Sequence, residues 1–380
     1  EIAQCLVGSE MCIRDRSNMQ WVVNNVTNAE VEKKNANYSQ IRTLNIPRRM
    51  ELSPKDTIST TWLVCSPETV GRFSGVAYFF ARKVYEETNI PIGIINSSWG
   101  GTIVETWTSL EAANTLPQKR LDRYNKNEKL SPPTEYFTRT NKEAKRNDYP
   151  SLVYNAMIHP LLSFAIKGVV WYQGENNVGN AEPYTDWLTC MISDWRNRWN
   201  SELPFYIIQL PNFDSTNKTP LWAEIRDAQR KVLTVPKTHL IVTSDLGDPH
   251  DLHPRNKQEV GMRVALQVLH HEYGRPDIVS ESPMFERMEI NGDKIIITFK
   301  NTGSGLEIRS RYGCLQGFTI AGEDKKFYWA QGELKDNRIV IWNPKVPNPI
   351  AVRYNWENNP DGNLYNKDGL PACLFRTDNW

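Results

Sequence analysis

Ile92-Gly93-Ile94-Ile95-Asn96-Ser97-Ser98-Trp99-Gly100-Gly101-Thr102 is the stretch on which the fold turns. Its first four residues form an apolar run without polar alternation, the pattern of a strand buried on both faces in a parallel sheet. The polar, glycine-bearing turn that follows lies where an open parallel sheet gathers its ligands, beyond the carboxyl ends of its strands. The same pairing recurs twice. Residues 164–172 (FAIKGVVWY) run into Gln173-Gly174-Glu175-Asn176-Asn177, and residues 239–243 run into Asp245-Leu246-Gly247-Asp248-Pro249-His250-Asp251-Leu252-His253-Pro254.

Helix-period segments alternate with these strands. They span 73–87, 184–199 (Trp187, Met191, Trp195 and Trp199 near helical spacing) and 222–233, with Phe205-Tyr206-Ile207-Ile208 as a further strand. A final helix is expected to start after Pro254 and to end near Gly274. The alternation predicts an α/β fold: a three-layer α/β/α domain with a parallel sheet over residues 17–275. Residues 110–150 interrupt it with a polar, charged insertion, read as a solvated loop. Beyond residue 276 helical periodicity stops. Short strand-like runs at 294–299, 315–320, 327–330, 338–342 and 351–354 sit between Gly, Asn and Asp turns, which predicts a C-terminal antiparallel β-sandwich over 276–380.

Composition narrows the function. With 45 Lys and Arg against 44 Asp and Glu, the formal charge is +1, so no field draws the chain to nucleic acid or to an anionic membrane. No apolar stretch approaches the roughly 20 residues of a spanning helix. The 13 Trp, 15 Tyr and 12 Phe suit both core packing and stacking on sugar faces. Six scattered cysteines show no metal-ligand spacing, leaving room for one or two disulfides but predicting no metal site. No phosphate-cradling glycine motif is present, and no cofactor is expected. Oligomeric state is not legible in the sequence.

An acyl-transfer site needs a nucleophile, a base, a group that orients the base, and donors for an oxyanion. His253, beside carboxylates at a helix edge, is the best base of the six histidines. Gly100 and Gly101 allow backbone N–H groups to approach a carbonyl, and Gln173, Asn176 and Asn177 carry amide donors.

Four ordered blocks then carry a resemblance: Ser17-Asn18-Met19-Gln20-Trp21, the 94–102 block, Trp171-Tyr172-Gln173-Gly174-Glu175-Asn176-Asn177, and Asp251-Leu252-His253-Pro254. Together they resemble the sialate O-acetylesterase-like family of the SGNH/GDSL hydrolases, which is related to acetyl-xylan esterases. Met157-Ile158-His159-Pro160, Arg226-Asp227-Ala228-Gln229 and Phe375-Arg376-Thr377-Asp378 extend the match. The resemblance implies Ser17 as nucleophile and His253 as general base. It also implies an oxyanion hole from the Ser17 backbone, Gly100 or Gly101, and Gln173 or Asn176. Trp99, Asn177 and Arg226 are expected to contact substrate, with Trp99 and Trp107 equally readable as packing. Many SGNH enzymes place Asp three residues before the His. Here that position is His250, so the acid is either Asp251 or Glu175, and Asp251 also reads as a cap of the helix after Pro254.

The implied reaction releases acetate from an acetylated glycan or sialic acid. The alternatives are an acetyl-xylan esterase and a catalytically impaired carbohydrate-binding protein. The second of these arises because Arg14-Asp15-Arg16 stand where the family has Gly-Gln after a short strand. Residues 1–16 are therefore expected to be non-native sequence, with the first central strand missing. The natural parent is expected to be periplasmic or secreted, its signal peptide absent from this chain.

Overall fold

The computed structural model describes residues 3–9 (by their backbone), 18–125, 128–131, 148–214 and 219–380. The chain runs through β1 (Ala3–Ser9), α1 (Ala29–Asn35), β2 (Tyr38–Asn45), β3 (Trp62–Cys65), α2 (Gly75–Thr88) and β4 (Ile92–Asn96). Two one-turn helices follow, α3 (Leu110–Ala113) and α4 (Gln118–Leu121), and then β5 (Gly168–Tyr172) and α5 (Ala181–Trp199). β6 (Phe205–Ile208), α6 (Leu221–Lys231), β7 (Thr238–Ile241) and α7 (Lys257–Glu272) complete the α/β part. The seven strands form one sheet in the order β3-β2-β4-β1-β5-β6-β7, parallel except for the β2–β3 pair. Every residue of β4, β5 and β6 is buried, as strands covered by helices on both faces must be. α2 packs on α7, and α5 on α6.

Three expectations need correction here. The first central strand is not missing: β1 lies between β4 and β5, with Val7 opposite Asn96 and Val170. The absence of alternation in that run is no evidence against a strand, because strands of a parallel sheet need not alternate. The insertion is not simply solvated. Ala113, Leu121, Leu130 and Tyr149 are buried in the main core, while 126–127 and 132–147 lie outside the described residues. The last helix starts at Lys257 rather than with Pro254 in its first turn, because Asn256 caps it by accepting the Glu259 N–H at 3.1 Å.

From β8 (Met284–Asn291) onward the chain is antiparallel β: β9 (Lys294–Lys300), β10 (Leu306–Ile308), β11 (Phe318–Ala321), β12 (Phe327–Trp329), β13 (Gln331–Lys335), β14 (Arg338–Trp342), β15 (Ala351–Tyr354), β16 (Leu364–Asn366) and β17 (Phe375–Arg376). Two four-stranded sheets, β13-β14-β9-β8 and β12-β11-β15-β17, share a second core in which Ile295, Ile297 and Ile341 meet Phe318, Val352 and Phe375. Period-2 burial in β9 and β14 explains why these strands are legible from sequence. Cys65, Cys190, Cys314 and Cys373 are free thiols. Among the described residues no helix is long and apolar enough to cross a membrane.

Candidate active site

The block after Ser17 is set on the amino end of α2. Gly75 N–H donates to the Trp21 carbonyl at 2.7 Å, and the Ser74 hydroxyl donates to the Met19 carbonyl at 2.6 Å. That anchor turns Asn18 inward, where it is 1% exposed. Its Nδ2 donates to Glu175 Oε1 at 2.6 Å and to the Leu252 carbonyl at 3.1 Å, and its Oδ1 accepts from Lys257 Nζ at 2.6 Å. One amide thus joins the loops after β5 and β7 to the start of α7. Ser17 itself lies outside the described residues.

His253 is buried and stacks on Trp21, ring centroids 5.3 Å apart and planes 13° apart. Asp251 Oδ1 accepts the His253 backbone N–H at 2.9 Å and stands 3.9 Å from its Nδ1. Asp251 therefore does not cap α7; its carboxylate turns back on the histidine. The loop carrying both is pinned by the bidentate Arg263–Asp245 pair, at 2.7 and 2.8 Å, and by the Gly247 N–H on Asn212 Oδ1 at 2.7 Å.

Glu175 is buried, and burial pushes its carboxyl up while the Asn18 hydrogen bond and Lys257 oppose that shift. Lys257 is fully buried, and burial pushes its ammonium down against the pull of Glu175 and then Asp251. A buried lysine is costly unless paired, so this one is held where a carboxylate and an amide oxygen await it. Sequence reasoning did not single out Lys257. The signal was present, since Lys257, Val260, Gly261 and Val264 fall on one buried stripe of α7.

On the other wall, Gly100 N–H donates to Gln20 Oε1 at 3.1 Å, and Gly101 has φ 94°, a left-handed conformation that favours glycine. Asn176 Nδ2 donates to the Gly101 carbonyl at 2.8 Å. Trp99 is half-buried against the core. The geometry thus brings together Asn18, Gln20, Gly100, Glu175, Asp251 and His253, while Gly101 and Asn176 pair beside them.

Other expected site residues are spent elsewhere. Gln173 is fully buried, its Nε2 on Asn177 Oδ1 at 2.7 Å and its Oε1 accepting from the Tyr184 hydroxyl at 2.9 Å, so its amide is no free oxyanion donor. Asn177 also donates to Glu105 Oε2 at 3.0 Å and accepts from Val104 N–H at 3.1 Å, which makes it frame rather than substrate contact. Arg226 is fully buried. Its Nε donates to the Trp222 carbonyl and its Nη2 to the carbonyls of Glu357 and Asn358, so these two nitrogens clasp α6 to the β-region. Trp107 is core as well, its Nε1–H on Thr102 Oγ1 at 2.9 Å.

A family model for carbohydrate esterases, the sialic acid-specific acetylesterases, matches residues 15–270. The chain belongs to this acetylesterase family. It is similar to the sialate O-acetylesterases of Pongo abelii and Homo sapiens, each 30% identical over 321 residues that make up 76% of this chain and 58% of theirs. It therefore spans 58% of the length of those relatives. Its fold is similar to that of a carbohydrate acetylesterase from Xanthomonas citri, with TM-score 0.87, 35% identity, and coverage of 100% of this chain and 81% of that one. The esterase fold and family expected from the four blocks are thus borne out.

Proposed function

We propose that this chain is a carbohydrate O-acetylesterase of the sialate type that works through a serine acetyl-enzyme. The observation that carries the reading is Asn18, the sequence neighbour of Ser17, hydrogen-bonded both to Glu175 and to the carbonyl that precedes His253. Ser17 Oγ attacks the acetyl carbonyl and His253 takes its proton. The sugar hydroxyl then leaves with that proton. Water, deprotonated by His253, attacks the acetyl-enzyme; the bond to Ser17 Oγ breaks, His253 returns the proton to that oxygen, and acetate is released. Asp251, 3.9 Å from Nδ1, closes by about 1 Å to orient the ring, as catalytic hydrogen bonds commonly tighten on binding. Trp21 packs against the face of that ring. Gly100 N–H, released from Gln20 when substrate enters, and the Asn176 amide serve the tetrahedral oxyanion.

Hydrolysis of p-nitrophenyl acetate by the chain, set against Ser17→Ala and His253→Ala, tests the chemistry. Each substitution is expected to remove nearly all turnover, and equal rates for all three proteins refute the reading. Acetate release from O-acetylated sialic acid and from acetylated xylan, run side by side, tests the substrate. Faster release from the xylan would replace the sialate assignment with its xylan alternative.

A further inference from the structure

We propose that His239, His271 and Glu281 form a binding site for a divalent transition-metal cation, zinc by the chemistry of its donors, which ties the α/β part to the start of the β-region. The three come from separate places. His239 enters at the amino end of β7, His271 lies in the last turn of α7, and Glu281 sits on the connection leading to β8. The rim carrying His253 leaves from the opposite, carboxyl end of β7, so the site is distinct from the esterase centre.

One ligand atom from each residue lies within 4.8 Å of the others. A tetrahedral zinc with bonds of about 2.0–2.1 Å spaces its donors roughly 3.3 Å apart, so small side-chain rotations close the set. His271 Nε2 is 3.6 Å from Glu281 Oε1, and this buried nitrogen has no hydrogen-bond partner among the described residues. A ring nitrogen that faces a carboxylate across 3.6 Å without closing a hydrogen bond leaves room for a cation between the two. Tyr206 stacks on His239 at 5.1 Å, and His239 on His271 at 3.9 Å, which keeps the two imidazoles side by side. His270 is left out of the set, its Nδ1 lying 2.8 Å from the Ile278 carbonyl. Two imidazoles and one carboxylate suit zinc, nickel or copper rather than magnesium or calcium. Three protein ligands leave the fourth position to water.

Tag-free protein stripped with chelator and titrated calorimetrically with zinc chloride tests the site. One zinc per chain with Kd below about 100 µM is expected, together with a thermal midpoint that rises with zinc. His271→Gln and Glu281→Gln, both at half-buried positions that tolerate an amide, should each weaken binding about tenfold or more and abolish the zinc-dependent rise. Zinc binding weaker than about 100 µM, or binding that both variants keep at full strength, overturns the assignment. Esterase activity enters neither readout, so the outcome stands apart from that of the Ser17 and His253 variants.

Discussion

At the scale of single residues, the site pairs groups whose surroundings set their roles. Asp251 is half-exposed beside His253, whereas Glu175 is buried against Asn18 and Lys257. Asp251→Asn is therefore expected to lower kcat on an acetyl ester by about 10³-fold or more, through loss of the charge facing the imidazolium. Glu175→Gln should cost far less, because an amide oxygen still accepts from Asn18. The reverse order in steady-state kinetics would make Glu175 the triad acid. Glu105 offers a test by pH. Burial holds its carboxyl above the ordinary 4.5, with the Asn177 hydrogen bond opposing. As pH rises past 4.5 the unfolded chain loses this proton while the native protein keeps it, so the native state binds more protons and stability falls. Glu105→Gln removes that loss. Its unfolding free energy relative to wild type should improve between pH 5 and pH 8 in urea denaturation; a difference that does not change with pH would contradict this.

At the scale of elements, the amino end of α2 and the face of α7 carry the site between them. Gly261 is where the two helices touch: a Cβ there would lie 2.7 Å from both Phe79 Cβ and the Val76 carbonyl oxygen. Alanine raises helix propensity by about 1 kcal/mol, but forcing packed backbones apart costs about 1–3 kcal/mol. Gly261→Ala is accordingly expected to destabilise by about 1–2 kcal/mol and to weaken turnover, since Lys257 and the loop before it shift with α7. A higher denaturation midpoint in the variant would show the clash to be relieved at no cost. Sequence reading handled these elements unevenly. Ile92–Asn96, Phe205–Ile208, Arg338–Trp342 and Ala351–Tyr354 match their expected spans, because burial on both faces or strict alternation is a local signal. The 164–172 run begins as a strand only at Gly168, and α7 begins three residues after Pro254. Ends are set by caps and by neighbours more than by hydropathy.

At the scale of the whole molecule, one clasp joins the α/β rim to the β-region. Arg226 reaches the carbonyls of Glu357 and Asn358, Asn358 Oδ1 accepts from Trp222 N–H at 2.9 Å, and Asn212 Nδ2 donates to Asn359 Oδ1 at 2.7 Å. Removing a buried guanidinium strands the carbonyls it serves, so Arg226→Met should cost about 3 kcal/mol. It is expected to lower the thermal midpoint by several degrees, and an unchanged midpoint would show the clasp to be redundant. The sequence alone determined the alternation of strands and helices, the switch to antiparallel β-structure, and the order of four blocks that mark the family. Those are properties of neighbouring residues, written at periods of two and 3.6. Only the tertiary structure decided which polar groups are spent on the frame and which are left for chemistry. Gln173 and Asn177 are consumed internally, and a lysine 239 positions from Asn18 is drawn into the site. A side chain's hydrogen-bonding capacity is finite, and the partners that exhaust it come from segments far apart in the chain. Local pattern therefore cannot say where that capacity remains.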